Sequence, residues 1–385
     1  MAPRTPDRGR PGERDPFGEA LGAPREPASG SYSRPDPASG SYARRDPASG
    51  APRRDPDSGP RPDAGERAAR RADAPVLDGD FRILRRIGIG GDSEVYLADQ
   101  LSVDGRKVAL KVFRPSAASA RRDSPFFRER RLLGLVTSDV FPSIYRTGMA
   151  DKQRPYIAME YVHGKSLGHF FARGDEAFSC EVALRVLERL VEGLHELHLA
   201  GIVHRDMKPD NVLLAPLWQG HFRVKMIDFS HARVPFGQEA RGVAEDGEYS
   251  GTQFYMAPEQ AAKRGTDELT DIYSLGVLLY EMLTSVRAVQ PYQIAKGMDF
   301  FEYMLKELPV PTRPVGDFRP DLPPELDAVL ARACALDPRA RYQSVVEFHD
   351  AVRSLLTVRA VDTAADDAAG GRVNVFRRLV GKLKG

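Results

Sequence analysis

Large apolar residues are almost absent from the first 77 positions, then arrive in runs whose spacing predicts the elements. Phe81-Arg82-Ile83-Leu84-Arg85-Arg86-Ile87-Gly88 predicts a strand that ends among glycines. Val108-Ala109-Leu110-Lys111-Val112-Phe113 alternates as a strand with one lysine in an apolar setting. Phe126 to Leu133 predicts a helix bearing Glu129, and Pro155 to Val162 a buried strand entering a linker. Leu184, Leu187, Leu190, Val191, Leu194 and Leu197 recur with a helical period. A polar loop, residues 204–211, separates that helix from the short apolar run Val212-Leu213-Leu214. Val224 to Ile227 predicts a strand that stops at the carboxylate of Asp228. Asp271 to Leu283 is a strongly apolar helix with a buried acid.

The N-terminal stretch reads differently. Fourteen of the 30 prolines lie there, and Pro-Ala-Ser-Gly recurs at 27–30, 37–40 and 47–50, followed by Pro-Asp-Ser-Gly at 56–59. Too little apolar surface is present to offset the entropy of ordering, so residues 1–77 are expected to be a disordered tail. Its hydroxyls, such as Ser29, Tyr32 and Ser58, leave open a docking or autophosphorylation segment beside a passive tail. At the other end, residues 356–371 read as a linker and 372–385 as a basic amphipathic helix. There Phe376, Leu379, Val380 and Leu383 share one face with five cations mostly opposite. Such a helix could meet an anionic membrane surface, a partner groove, or its own domain.

Composition narrows the class without naming it. The chain has 385 residues, 42% hydrophobic and 29% charged, as in ordinary globular proteins. A formal net charge of +2 gives no reason to expect nucleic acid as a partner. Only Cys180 and Cys334 occur, without metal-ligand spacing, which fits a reducing, cytoplasmic setting rather than a disulfide framework. No apolar run approaches the roughly 18 residues of a membrane span, and no signal-peptide pattern is seen.

The chemistry concentrates in the loop His204-Arg205-Asp206-Met207-Lys208-Pro209-Asp210-Asn211. Asp206 can accept a proton from a hydroxyl, Lys208 can neutralise a transferring phosphoryl group, and Asn211 can hold a metal ion. This spacing resembles the H-R-D-x-K-x-x-N catalytic loop of the protein kinases, in the style of the bacterial (Hanks-type, eukaryotic-like) Ser/Thr enzymes. The resemblance spans about residues 80–355. It implies an α+β, bilobal fold over 78–355: a small antiparallel β-rich N-lobe with one helix (about 78–161) and a large, mainly α C-lobe (about 163–355).

The resemblance assigns further roles. Gly88-Ile89-Gly90-Gly91-Asp92-Ser93-Glu94-Val95 matches the glycine loop over the ATP phosphates, with Ser93 in place of the third glycine; alone, a plain hairpin would explain it equally well. Lys111 matches the lysine that grips the α- and β-phosphates, and Glu129 its partner. Glu160 and Val162 would offer hinge backbone groups to adenine, and Met159 would guard the pocket behind it. Ile87, Val95 and Ala109 from above and Leu213 from below would enclose the base. Asp228-Phe229-Ser230 matches D-F-G with serine replacing glycine, so Asp228 would bind Mg2+ together with Asn211. Ser230 should stiffen the backbone there without abolishing metal binding.

Ser230 to Phe254 would be the activation loop, with Tyr249 and Ser250 as candidate phosphate acceptors for Arg205; the acidic run 245–248 reads as a solvated loop or as a partial substitute for that phosphate. Gly251 to Glu259 matches the A-P-E region, and Thr252 with Lys208 is the Ser/Thr rather than the Tyr pattern. Asp271 would hold the catalytic-loop backbone, and Arg341 would pair with Glu259. The expected activity is ATP- and Mg2+-dependent phosphorylation of protein Ser/Thr hydroxyls, with autophosphorylation. Its rivals are a pseudokinase-like binding module and a small-molecule phosphotransferase.

Overall fold

The computed structural model describes residues 74–115, 124–151, 154–174, 177–217, 221–233, 253–288 and 310–366. The N-terminal repeats, the tip 218–220, the activation-loop residues 234–252 and the C-terminal basic segment lie outside them. The described residues fall into two compact units, 74–85 with 98–106, and 86–97 with those from 107 onward.

In the smaller unit β1 (Val76–Leu77) pairs antiparallel with the first residues of β2 (Phe81–Ile89). Leu77 and Phe81 are buried there, so ordered structure begins before the tail boundary expected at 77: an apolar residue with a sheet partner has reason to order. Asp80 closes this unit, accepting from the Ser102 amide at 2.7 Å and from Gln100 Nε2 at 3.1 Å.

The larger unit contains the rest of β2, β3 (Ser93–Gln100, its first five residues), β4 (Arg106–Phe113, from Lys107), β5 (Ile144–Met149) and β6 (Pro155–Glu160). Their order is β2-β3-β4-β6-β5. Helix α1 (Pro125–Leu133) follows Ser124, with proline in the first turn where its missing N–H costs nothing. Phe126 of α1 packs with Phe113, Ile157 and Met159.

After the short β7 (Lys165–Ser166) the chain becomes mainly helical. Helix α2 (Leu167–Ala172) is capped by Ser166, whose Oγ accepts from the His169 amide. Helix α3 (Cys180–Leu199) starts at Ser179, whose Oγ accepts from Val182 N–H, and buries Val186, Leu187, Leu190, Leu194 and Leu197 on one stripe. Strands β8 (Val212–Pro216) and β9 (Phe222–Met226) form a sheet with β7 in the order β7-β8-β9. Helix α4 (Pro258–Ala261) precedes α5 (Glu268–Thr284), which is buried from Leu269 to Thr284 and runs through the largest apolar cluster. Helices α6 (Glu325–Ala333) and α7 (Val345–Asp366) complete the described fold.

Two expected boundaries shift. Helix α7 runs to Asp366, so residues 356–366 are helical rather than linker. Ala364 and Ala365 are the strongest helix formers and no breaker precedes them, so a helix begun on the buried Val345, Phe348 and Val352 propagates. The division into units also does not fall at the hinge near 162. Contacts across that point, such as Lys225 with Glu160 and Phe229 with Phe141, keep strands and helices in one unit. Among the described residues no helix is long and apolar enough to cross a membrane.

Candidate active site

Lys111 sits in β4 opposite Ile157 of β6, at a position that is otherwise core. Its Nζ lies 2.8 and 2.6 Å from the two Glu129 oxygens, 2.9 Å from Asp228 Oδ1 and 3.0 Å from Ser230 Oγ. Glu129 reaches it from the buried face of α1. Burial works against the Lys111 charge, but Glu129 and Asp228 outweigh it and hold the ammonium above its ordinary pKa. For Asp228 burial would raise the pKa. Lys111 and the hydrogen bonds from Ser230 hold it well below the usual carboxylate range.

Ser230 is part of this cluster. Its Oγ donates to Asp228 Oδ1 at 2.5 Å and its amide does so at 3.1 Å. The sequence points to an effect through backbone freedom; the hydroxyl adds direct bonds to the carboxylate and to Lys111. Asp228 adopts φ 72°, in the left-handed region that Asp tolerates better than most residues. Phe229 is buried between the Phe141 ring at 5.2 Å and the His204 ring at 5.4 Å.

The second cluster lies in the loop after α3. Asp206 accepts from Lys208 Nζ at 2.9 and 2.6 Å and from Asn211 Nδ2 at 2.9 Å. Asn211 Nδ2 also donates to the Asp206 carbonyl at 2.7 Å, so the amide fixes both the backbone and the carboxylate of that residue. Asn211's own carbonyl accepts from Ile227 N–H at 2.8 Å, tying this loop to the segment that carries Asp228.

Arg205 has φ 66°, a strained value for a long side chain. Asp271, fully buried in the first turn of α5, supplies the restraint: its carboxylate accepts from the amides of His204 and Arg205 at 2.9 and 2.8 Å and contacts His198 Nε2 at 2.9 Å. Burial would raise the Asp271 pKa, yet these donors keep it low. Gln260 Nε2 adds a bond to the Arg205 carbonyl at 2.9 Å.

Around the glycine loop, Gly90 N–H donates to the Ser93 carbonyl at 2.8 Å and Arg114 N–H to the Asp92 carbonyl at 2.8 Å. A Cβ built on Gly88, Gly90 or Gly91 would meet no protein atom within 3.4 Å, so the chain's own packing does not demand glycine there. Space of that kind suits a ligand approaching the amides. Glu94 is turned to Arg86 (3.6 Å) and Tyr96 within the loop's own strands, and Ile89 is exposed. Ile87 and Val95 lie on β2 and β3, Ala109 on β4 and Leu213 on β8.

Glu160 and Val162 lie at the exit of β6. The Glu160 N–H is already given to the Ser143 carbonyl at 2.8 Å, so it has no free N–H for a base. Its side chain is held by Lys225, 2% exposed, at 2.6 Å. Lys225 is absent from the sequence-derived candidates; the one available signal was a cation at an inward position of an apolar strand.

Among the described residues no three carboxylates, imidazoles or thiols gather as a metal cage. A Mg2+ ion bridging to a nucleotide needs only one or two protein carboxylates beside the phosphates. The anionic Asp228 and the amide of Asn211, whose nitrogen faces Asp206, are an oxygen donor set of that kind.

Comparison with known proteins agrees with this geometry. The protein kinase domain family matches residues 81–353. Serine/threonine-protein kinase pkn2 of Myxococcus xanthus is 39% identical over 213 residues, covering 55% of this chain and 25% of pkn2. The tyrosine-protein kinase MasK of Myxococcus xanthus is 35% identical over 295 residues, covering 72% of this chain and 43% of MasK. The crystal structure of a C20A mutant of the Mycobacterium tuberculosis PknI kinase domain superposes with a TM-score of 0.53 at 24% identity, over 73% of this chain and 96% of that one. The chain thus spans a quarter of the length of pkn2 and less than half of that of MasK. The family match across residues 81–353 decides the assignment, and bacterial serine/threonine-protein kinases are among the relatives: the chain belongs to the protein kinase domain family.

Proposed function

We propose that this chain transfers the γ-phosphoryl group of ATP, with Mg2+, to Ser or Thr hydroxyls of protein substrates, its own chain included. The observation that carries this reading is the convergence of Lys111 and Glu129 on Asp228, beside a loop in which Asn211 holds Asp206.

In this reading residues 87–95 cover the phosphates, and Ala109, Val162 and Leu213 enclose the base with the hinge backbone at 160–162. Lys111, steadied by Glu129, binds the α- and β-phosphates. Asp228 and Asn211 hold Mg2+, which when bound would neutralise charge on the β- and γ-phosphate oxygens. Asp206 orients the substrate hydroxyl and accepts its proton, and Lys208, 2.6 Å from that carboxylate, is placed to stabilise the transferred phosphoryl. The transition state of such transfers is loose, so positioning and charge stabilisation supply most of the acceleration. Turnover of about 1–100 per second is expected for an active kinase.

The departures Ser93 and Ser230 motivate the rival, a nucleotide-binding module without transfer. Incubation with labelled ATP and Mg2+, beside Asp206→Asn, separates the two. Label on the chain or on a generic protein, lost in the variant, supports transfer; equal, near-zero label in both favours the binding module. Phosphoamino-acid analysis of the same product tests Ser/Thr against Tyr, the residue named for MasK.

A further inference from the structure

Behind the hinge, a cavity of about 610 Å³ has Glu160, Arg223 and Lys225 in its wall. The reaction proposed above uses none of these side chains, yet they are closely tied. Lys225 Nζ donates to Glu160 Oε2 at 2.6 Å and to the Phe141 carbonyl at 3.0 Å. Arg223 lies 3.8 Å from the other Glu160 oxygen.

The connections of Lys225 join three parts of the candidate nucleotide site. In the β8–β9 ladder it stands directly opposite Leu213, the residue expected beneath the base. Asp228 follows three positions later. Phe141, whose carbonyl takes the second hydrogen bond, packs its ring against Phe229. Glu160 itself is the residue of β6 opposite Val108, at the point where the hinge begins.

Lys225 is buried and Glu160 half-buried, and desolvation consumes most of the attraction in such a pair, so its weight in stability is small. The Glu160 carboxylate is drawn to the cavity side and its N–H to Ser143, which leaves the following peptide groups little freedom to rotate.

We infer that Lys225 is a positioning residue for adenine recognition: by anchoring Glu160 it orients the hinge peptides at 160–162 toward the base. This rests on the nucleotide reading of the site. The test compares the full chain with Lys225→Met and with the double variant Lys225→Met/Glu160→Gln. The double variant also removes the half-buried carboxylate, which in the single variant keeps only Arg223 as a partner, and so protects against simple misfolding. Titration with adenosine, which has no phosphate, reports the hinge alone; titration with ADP and Mg2+ and steady-state kinetics follow.

The single variant should lose about tenfold in adenosine affinity, equivalent to 1.4 kcal/mol. The KM for ATP should rise by a similar factor, with kcat changed by less than about twofold. In the double variant the Tm should recover while adenosine affinity does not. Unchanged adenosine affinity in a folded single variant, a loss confined to kcat, or recovery of affinity together with Tm would each overturn the inference. If the unmodified chain bound neither ligand, the nucleotide reading would fall, and the role of Lys225 with it.

Discussion

Arg341 meets Glu259 through two parallel hydrogen bonds of 2.8 Å, and its side chain is completely buried. Its remaining donors are given to the carbonyls of Ala335, Leu269 and Leu336, and Glu259 also accepts from Thr270 Oγ1. Removing one partner leaves an uncompensated charge in the interior. Arg341→Ala should therefore lower unfolding free energy by about 3–5 kcal/mol. Arg341→Lys should recover little of it, because an ammonium cannot satisfy both oxygens in the same plane. Denaturant titration of the three proteins measures this directly.

Ser230 makes two hydrogen bonds to one oxygen of Asp228. Ser230→Gly removes the hydroxyl bond and frees the backbone. The carboxylate should then be less well oriented, and the metal affinity of the nucleotide complex should fall by about tenfold, the scale of a hydrogen bond to a charged group. Mn2+ titration by electron paramagnetic resonance in the presence of ADP reads this independently of phosphoryl transfer. An unchanged affinity would mean that Lys111 alone suffices to orient Asp228.

His204 is fully buried, and burial depresses its pKa against the opposing pull of Asp271, Asp206 and Asp228. The folded chain therefore takes up this proton at lower pH than the unfolded chain does. Stability from the neutral imidazole is complete above the unfolded value of about 6.5 and declines as pH falls below it. His204→Asn, which keeps an acceptor near the Asp206 amide, should flatten the stability curve between about pH 6.5 and 5. The depressed carboxylates Asp228 and Asp271 act in a separate window, contributing above about pH 4 and losing that contribution below it. Thermal melts across the two windows distinguish these groups.

Gly276 marks a tight contact between α5 and the end of α6. A Cβ there would lie 2.9 Å from Ala333 Cβ and 3.0 Å from Cys334 Sγ. Gly276→Ala gains helix propensity but must push α5 from α6, so a net loss of about 1–3 kcal/mol is expected. Gly276→Ala combined with Cys334→Ala should recover part of it. Equal stability of Gly276→Ala and the unmodified chain would contradict the packing described.

What could be read in advance follows the range of each interaction. The loop residues Asp206, Lys208 and Asn211 are neighbours in sequence, and their mutual hydrogen bonds need only one turn of chain. The long helices announce themselves through period, as Leu187, Leu190 and Leu194 do. Contacts between distant residues leave no local trace: Lys111 and Asp228 are 117 positions apart, and only a known family pattern brings them together. Lys225 and Glu160, 65 positions apart, carry no such pattern, and a lone lysine in a strand reads as an edge residue. Helix α7 outruns its expected end because alanine-rich sequence scores as linker by composition while favouring helix by propensity. The hydroxyl of Ser230 is hidden for another reason: a substitution in a glycine position draws attention to backbone freedom, whereas its new atoms do the bonding.

Asp271 gives the loop at 204–206 a property that its polar sequence would not suggest. Loop amides usually exchange with solvent through small local openings. Here the N–H groups of His204 and Arg205 end on a carboxylate embedded in a helix that is buried along nearly its whole length. Deuterium should therefore reach these two amides only when α5 itself leaves the interior, so a polar loop keeps time with the deepest part of the molecule.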